Sequence, residues 1–131
     1  MAKMAYTQWE FGKLDRAKAI FQTLVNAVPN EPYFHCALGS VFQKQRQFAQ
    51  ALREYNITLQ LAPNDIPARV NRGEILMLVG KKNEGAIDLQ AAMRADKTGK
   101  HPSALRAKML LSALQNAPQK NNPSTPPRAL R

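Results

Sequence analysis

The chain has 131 residues, a formal net charge of +10 and 44% hydrophobic residues. This length fits one domain, and the hydrophobic content is ordinary for a globular protein rather than a disordered chain. No apolar run approaches the roughly 20 residues that a membrane-spanning helix needs. The first six residues lack the apolar region of a signal peptide. We therefore expect a globular protein that stays in the compartment where it is made.

Residues that usually hold metals or act as nucleophiles are few. Cys36 is the single cysteine, and the two histidines, His35 and His101, lie far apart in the sequence. There is no metal-ligand spacing, no Gly-rich phosphate loop, and no Ser/His/Asp or Cys/His spacing that suggests a nucleophile. The sequence predicts no metal, no cofactor and no catalytic residue, and it favours a surface position for His35.

A period of 34 residues links several positions along the chain. Pro29 and Pro63 are separated by this step, as are Gly39 and Gly73. The step also joins Ala17, Ala51 and Gly85, and Phe21, Tyr55 and Leu89. Such a period is typical of the tetratricopeptide repeat, a helix–turn–helix unit. The sequence predicts an all-α right-handed superhelix of three helix pairs, the first incomplete, plus a C-terminal capping helix.

The first repeat covers about residues 1–31 and has a short first helix. Only about residues 1–11 remain for that helix, and Gly12 is predicted to form the turn after it. The second helix runs from Asp15 to about Ala27. It ends at the sequence Val28-Pro29-Asn30, because proline cannot continue a helix.

The second repeat covers about residues 32–65 and shows the packing pattern best. A glycine inside a helix costs about 1 kcal/mol relative to alanine, so Gly39 predicts a close approach of the neighbouring helix. Ala51 and Tyr55 are the small and the large contact on the second helix. Pro63 stops that helix, and Asn64 or Asp65 is predicted to cap the next one.

The third repeat covers about residues 66–99 and repeats this pattern. Pro67 lies in the first turn of its first helix, where the missing N–H costs nothing. Gly73 is the predicted packing glycine, and Gly80 the predicted left-handed cap.

A capping helix is predicted over residues 102–116, which completes a repeat domain over 1–116. A solenoid needs such a helix to cover its last exposed face. Arg106 and Lys108 are predicted to face away from the apolar side, which comprises Leu105, Met109, Leu110, Leu111 and Leu114. The remaining residues, 117–131, are rich in proline and are predicted to be a disordered basic tail.

The first helix of each pair lines the concave side of such a superhelix. The predicted groove residues are Tyr6, Trp9, Glu10, Tyr33, Cys36, Ser40, Gln43, Lys44, Val70, Glu74, Met77 and Leu78. This mixture of aromatic, polar and apolar side chains suits an extended peptide, whose side chains fill pockets while polar groups bond its backbone.

Several of these residues have a second interpretation. Trp9 is either the main anchor for the peptide or a seal for the first helix pair. Cys36 is either a groove residue or an ordinary buried thiol. Met77 has either a binding or a packing role. Glu74 fixes either a peptide N–H or basic side chain, or pairs with a nearby arginine, Arg69 or Arg72.

These residues resemble the class II chaperones of bacterial type III secretion, the small chaperones of translocator proteins. The resemblance covers about residues 5–115. It rests on Gly12–Ala17, Ile20–Leu24, Tyr33-Phe34, Leu38-Gly39, Gln43, Phe48–Leu52 and Ala68–Gly80 with Glu74-Ile75-Leu76.

The resemblance implies a function. Those chaperones hold a hydrophobic translocator in the bacterial cytoplasm until export, with a short segment extended in the groove. Trp9 falls where members of the group tend to have a groove aromatic, and Tyr6 and Tyr33 lie nearby. Many members dimerise through an N-terminal helix, so a homodimer is also implied.

Two other functions remain open from the sequence. A general repeat scaffold in a larger assembly would show the same pattern. Nucleic-acid binding would use the basic C-terminal end, since residues 94–131 carry 8 Lys or Arg against 1 Asp or Glu. That end lacks interleaved aromatic residues for base stacking, which disfavours nucleic acid.

Overall fold

The computed structural model describes the backbone of residues 2–116 and the side chains of residues 10–116. This part of the chain forms six helices and no strand. The helices are α1 (Ala2–Ala27), α2 (Pro32–Lys44), α3 (Phe48–Leu61), α4 (Ile66–Leu78), α5 (Lys82–Ala95) and α6 (Pro102–Asn116). Not one of these six helices combines the length and apolarity needed to cross a membrane. The predicted tail, 117–131, lies outside the described residues.

The helices α2 and α4 begin with the same signal, 34 residues apart. The carboxylate of Glu31 accepts a hydrogen bond from the backbone N–H of Tyr33 (3.2 Å). Likewise, the carboxylate of Asp65 accepts one from the N–H of Ala68 (3.0 Å). A proline follows in the first turn of each helix, where no N–H is needed. These caps set the start of each helix pair, and Asp65 is one of the two residues that the sequence predicts as the cap of α4.

The turns within the two pairs also match at this spacing. The turn from α4 to α5 contains Gly80 with φ 92°, and the turn from α2 to α3 contains Arg46 with φ 61°. Both residues are left-handed, and the following N–H closes the helix in both turns: Gln47 donates to Phe42 O and Lys81 donates to Leu76 O. The predicted left-handed cap at Gly80 is confirmed. Arg46 adopts the same conformation at a cost of about 1–2 kcal/mol.

Paired helices approach closely at glycines. A Cβ on Gly39 of α2 would lie 2.7 Å from Cε1 of Tyr55 on α3. In the next pair, a Cβ on Gly73 of α4 would lie 2.9 Å from the carbonyl oxygen of Gly85 on α5. The second contact is between backbones, so nothing there can rotate away. The predicted packing role of Gly39 and Gly73 is confirmed.

Two clusters of buried side chains form the core. The first lies between the α2–α3 pair and α4, and is centred on the fully buried Tyr55 and Ile75. The second comprises Val70, Leu89 and Ala92 of the α4–α5 pair together with Ala107 of α6. Since Ala107 is fully buried, α6 covers the end of the solenoid as the sequence predicts.

The side of α6 that packs differs from the prediction. Ala104 and Ala107 are buried, and Leu110 and Leu111 pack against the second cluster. Leu105 and Met109, predicted on the packed side, are 47% and 72% exposed. Small residues at positions i and i+3 let α6 lie close to α4 and α5, and this rotates the longer side chains outward.

The prediction of a turn at Gly12 is wrong. Helix α1 continues from Ala2 to Ala27 through this residue, so the first repeat is one long helix rather than a pair. Nothing lies within 4 Å of a Cβ placed on Gly12. One glycine destabilises a helix by about 1 kcal/mol. With no helix packed against Gly12, this cost is smaller than the stability gained by joining the helical residues on both sides into one helix.

The prediction of a surface position for His35 is also wrong, since the side chain is buried. Nε2 lies 2.7 Å from the carbonyl oxygen of Pro29, and Nδ1 lies 2.8 Å from Oε1 of Glu54. A carbonyl only accepts, so Nε2 is the donor to Pro29. His35 thus ties the α1–α2 loop to α3.

The glycine contacts make a prediction for stability. Gly73→Ala forces a methyl group against the backbone of Gly85, and should lower the free energy of unfolding by about 1–3 kcal/mol. The matched control is Gly12→Ala, also inside a helix but facing open space, which should raise it by about 0.5–1 kcal/mol. Urea denaturation followed by circular dichroism measures both. Equal effects of the two variants would contradict the close approach.

Candidate functional site

A cavity of about 960 Å³ lies between α1, α2 and the start of α4. Its lining exposes more apolar than polar surface. The apolar lining comprises Leu14, Ala17, Phe21, Ala37, Val41 and Pro67. Ser40 of α2 and Asn71 of α4 supply uncharged polar groups, and charged groups come from Glu10, Lys13, Glu31, Lys44 and Asp65. The cavity therefore offers apolar pockets beside hydrogen-bonding groups.

Cys36 lines this cavity as a half-buried free thiol. Burial raises the pKa of the Cys36 thiol to about 12, and the nearby carboxylate of Asp65 adds to the increase. A thiol with so high a pKa is mostly protonated at neutral pH, and it is the thiolate that attacks electrophiles. In this groove Cys36 therefore acts as a small apolar surface rather than as a nucleophile.

A second cavity of about 490 Å³ continues toward α6. It shares Ser40, Lys44 and Asn71 with the larger one, so the two form one groove along the inner side of the helix pairs. Its remaining lining residues are mostly polar or charged and include Gln43, Arg46, Phe48, Glu74, Leu78 and Arg106. The groove thus changes from an apolar end at α1 to a charged end at α6.

A chain of hydrogen bonds crosses the floor of this charged end. The hydroxyl of Tyr55 on α3 donates to Oε1 of Gln43 on α2 (2.7 Å). Nε2 of Gln43 donates to Oε1 of Glu74 on α4 (2.8 Å), and Arg106 on α6 donates to the other oxygen of Glu74. Burial raises the pKa of the Tyr55 phenol, so the phenol keeps the proton that it donates. Four helices are thereby joined at one point of the groove.

The two arginines that were alternative partners for Glu74 bind elsewhere. Arg72 contacts Asp88 of α5 with two nitrogens, each at 2.7 Å from a carboxylate oxygen. Arg69 contacts the same carboxylate at 3.1 Å. Asp88 is buried, so its charge is balanced by this pair, and Glu74 is left to the groove.

The structure places the predicted groove residues in three groups. Val70 belongs to the core, which corrects its prediction, and Met77 packs against the core, which is the second of its two predicted roles. Tyr6 and Trp9 have side chains outside the described residues, so their roles stay predictions. The others line the two cavities: Glu10, Tyr33, Cys36, Ser40, Gln43, Lys44, Glu74 and Leu78.

Val70 and Met77 lie in or against the core for different physical reasons. Val70 is fully buried because α6 packs over this part of α4 in the second cluster. Met77 packs against the same cluster, and its Cγ lies 2.7 Å from where a Cβ on Gly85 would be. The missing side chain of Gly85 thus makes the space that Met77 occupies.

Other groove residues escaped the sequence analysis. Asn71 lies three residues before Glu74 on α4, so helical periodicity places both on one face. This periodicity is the sequence signal that could have identified Asn71 as a groove residue. Leu14 lines the groove from the long helix that replaces the first pair. Arg106 was predicted to face away, and nothing in the sequence indicates the rotation of α6 that turns it toward Glu74.

Within residues 10–116, no group of three or more His, Cys, Asp or Glu side chains is arranged to hold a metal ion.

Comparison with known proteins gives a likeness in structure. No protein-family model and no curated protein matches the sequence. The translocator chaperone SycD of Yersinia enterocolitica superposes with a TM-score of 0.74, at 22% identity, covering 86% of this chain and 79% of SycD. PcrH of Pseudomonas aeruginosa, in complex with the chaperone-binding region of PopD, gives 0.73 at 22% identity, covering 87% of both chains.

A tetratricopeptide domain of another kind is also similar. The first such domain of Spaghetti, bound to an HSP90 peptide, gives a TM-score of 0.69 at 19% identity, covering 86% of this chain and 89% of that domain. The fold of this chain is therefore the tetratricopeptide fold, and it is similar to the translocator chaperones of type III secretion. The predicted fold class is confirmed.

The burial of Cys36 makes a prediction for its reactivity. With a raised pKa, the thiol should react with iodoacetamide at pH 8 about 100-fold more slowly than an ordinary cysteine. Its rate should rise about tenfold per pH unit well beyond pH 9. Mass spectrometry measures the rate, with the urea-unfolded chain as the control. A profile that levels off near pH 9 would show an unperturbed thiol.

Proposed function

We propose that this protein binds an extended segment of a partner polypeptide in the groove between α1, α2, α4 and α6. The observation that carries the proposal is the continuity of the two cavities through Ser40, Lys44 and Asn71. Two adjoining cavities of about 960 and 490 Å³ fit several residues of extended chain, whereas separate pockets would fit single small molecules. Binding, rather than catalysis, is the activity we assign to it.

The groove chemistry supports this proposal. Its apolar pockets along α1 and α2 would remove the apolar side chains of a segment from water, at roughly 25 cal/mol per Å² of buried area. Ser40 and Asn71 would bond the polar backbone of the segment, which would otherwise lose its hydrogen bonds to water. The caps on α2 and α4 and the hydrogen bonds at Glu74 hold these walls in place, so little ordering is needed on binding.

The proposal predicts the effect of filling the groove. Ser40→Trp places a large ring where the two cavities meet, and should weaken peptide binding at least tenfold. The matched control is Ala49→Trp, which adds the same ring at an exposed position of α3 away from both cavities. Peptides selected from a random phage-displayed library on the wild type serve as probes, with affinity measured by fluorescence anisotropy.

Circular dichroism must first show that both variants are folded. Equal affinity of Ser40→Trp and the wild type would place peptide binding outside the groove. A library that yields no peptide bound by the wild type would contradict the proposal as a whole.

We further propose that the partner is a secreted translocator, held in the bacterial cytoplasm before export. This rests on the resemblance in sequence and on the similar structures, two of which contain a segment of the translocators PopD and YopD. A hydrophobic translocator would present apolar side chains to the groove. One similar structure is of an alternative dimer of SycD, which supports a homodimer of this chain.

A general scaffold is the second candidate, favoured by the likeness to the domain of Spaghetti that binds an HSP90 peptide. The two candidates differ in the state of the partner. A chaperone holds a partner that is otherwise insoluble, whereas a scaffold binds a partner that is soluble by itself.

This difference predicts the outcome of co-expression. A type III translocator from the same organism should be soluble when produced with the wild-type chain and aggregate when produced with Ser40→Trp. The fraction of translocator in the soluble extract is measured by immunoblot, with Ala49→Trp as the matched control. A translocator that is equally soluble in the absence of this chain would favour the scaffold.

A further inference from the structure

The charged end of the groove has an excess of positive charge. Three cations line the smaller cavity, Lys44, Arg46 and Arg106, against the single carboxylate of Glu74. They come from three separate parts of the fold: the last turn of α2, the α2–α3 turn and α6. Arg106 is bound to Glu74, so the surplus belongs to Lys44 and Arg46.

These two cations have no internal anion. Among the described residues, neither Lys44 nor Arg46 lies within ion-pair distance of a carboxylate. The guanidinium of Arg46 lies 5.3 Å above the ring of Phe48, which orients it beside the cavity without neutralising it. Helix α3 begins at Phe48 without a side-chain cap, and its N-terminus adds partial positive charge at the same edge.

The backbone of Arg46 provides an independent observation. Its left-handed conformation strains every residue except glycine, and the equivalent turn 34 residues later uses Gly80. A side chain kept at such a cost at the edge of a groove points to a role for that side chain.

The other end of the groove has the opposite balance. Glu10, Glu31 and Asp65 line the larger cavity there together with one lysine, Lys13, while Lys44 lies where the two cavities meet. Glu31 and Asp65 accept backbone hydrogen bonds as helix caps, so their charge is partly used within the fold. A segment lying along the groove thus meets acidic groups near α1 and unneutralised cations near α6.

We propose that the cavity beside Lys44 and Arg46 is a subsite for an acidic side chain, aspartate or glutamate, of the bound segment. This rests on the proposed function and adds a charge pattern and a direction to it: apolar residues lie between α1 and α2, and the carboxylate lies toward α6. The carboxylate belongs to a side chain rather than to a chain terminus. Lys44 lines both cavities, so a carboxylate beside it lies where the segment passes from one cavity to the other and not at its end.

The test compares peptides selected from a random phage-displayed library on two proteins. One is the wild type, and the other is the double variant Lys44→Gln with Arg46→Gly, which removes both cations and relieves the strained turn. The matched control, Lys81→Gln with Lys82→Gln, removes two exposed cations from the corresponding turn between α4 and α5. Wild type and control should select apolar peptides enriched in aspartate or glutamate at one end, and the double variant should lose that enrichment.

Synthetic copies of a selected peptide then identify the carboxylate. Replacing the acidic side chain by its amide should weaken binding to the wild type about 1.5- to fivefold, the range expected for an exposed charge pair. It should not change binding to the double variant. Amidation of the C-terminus should leave both affinities unchanged.

The outcomes separate the two proposals. Apolar peptides without acidic enrichment on the wild type would overturn the subsite and leave the peptide groove standing. Loss of binding on C-terminal amidation alone would also overturn it, since the cations would then hold a terminus. If the wild type selects no peptide at all, the proposed function fails and the subsite fails with it.

Discussion

The close approach of helices at Gly39, Gly73 and Gly85 is the constraint on which the rest of this structure depends. At each glycine the missing side chain leaves room for a large residue of the partner helix. In the α2–α3 pair this residue is Tyr55, whose ring contacts Gly39 and whose hydroxyl donates to Gln43. The packing that forms the core therefore also supplies the first hydrogen bond of the groove floor.

The α4–α5 pair has different residues at the same repeat positions, and this changes which part of the groove is polar. Leu89 takes the place of Tyr55, and Gly85 takes the place of Ala51. Leucine has no hydroxyl, so no corresponding polar link forms at this pair. Gly85 lacks the methyl group that Ala51 has, and Met77 occupies the space beside it. The polar floor thus lies where the α2–α3 pair meets α4, and apolar side chains of the α4–α5 pair face α6.

The 34-residue register explains why much of the fold could be predicted. Gly39, Gly73 and Tyr55 are defined by contact within a pair, and Asp65 and Gly80 by local backbone geometry. Both kinds of constraint leave a mark in the sequence itself. Gly12 shows the limit of this reasoning, because the same residue forms a turn or a helix depending on whether another helix docks beside it.

The groove was less predictable for a related reason. Ser40, Gln43 and Glu74 lie on the inner face by helical periodicity alone, so the sequence placed them beside the cavities. Val70 shares that face but is covered by α6, and the covering depends on the rotation of α6 about its axis. Two alanines set that rotation, and the same rotation points Arg106 into the groove. His35 was missed because its two partners, Pro29 and Glu54, are brought together only by folding.

Helix α6 consequently has two roles that cannot be separated. Its alanine side seals the second core cluster, and Arg106 on the adjacent side holds Glu74 at the groove. Because Arg106 neutralises Glu74, the remaining cations at this end act on whatever enters the groove. The field of Lys44 and Arg46 extends over about one Debye length, roughly 8 Å at physiological salt. In the proposed complex, such a field would speed the approach of an acidic segment and orient it, whereas burial of its apolar side chains between α1 and α2 would provide most of the binding energy. The direction and the affinity of the proposed segment would therefore be set at opposite ends of one groove.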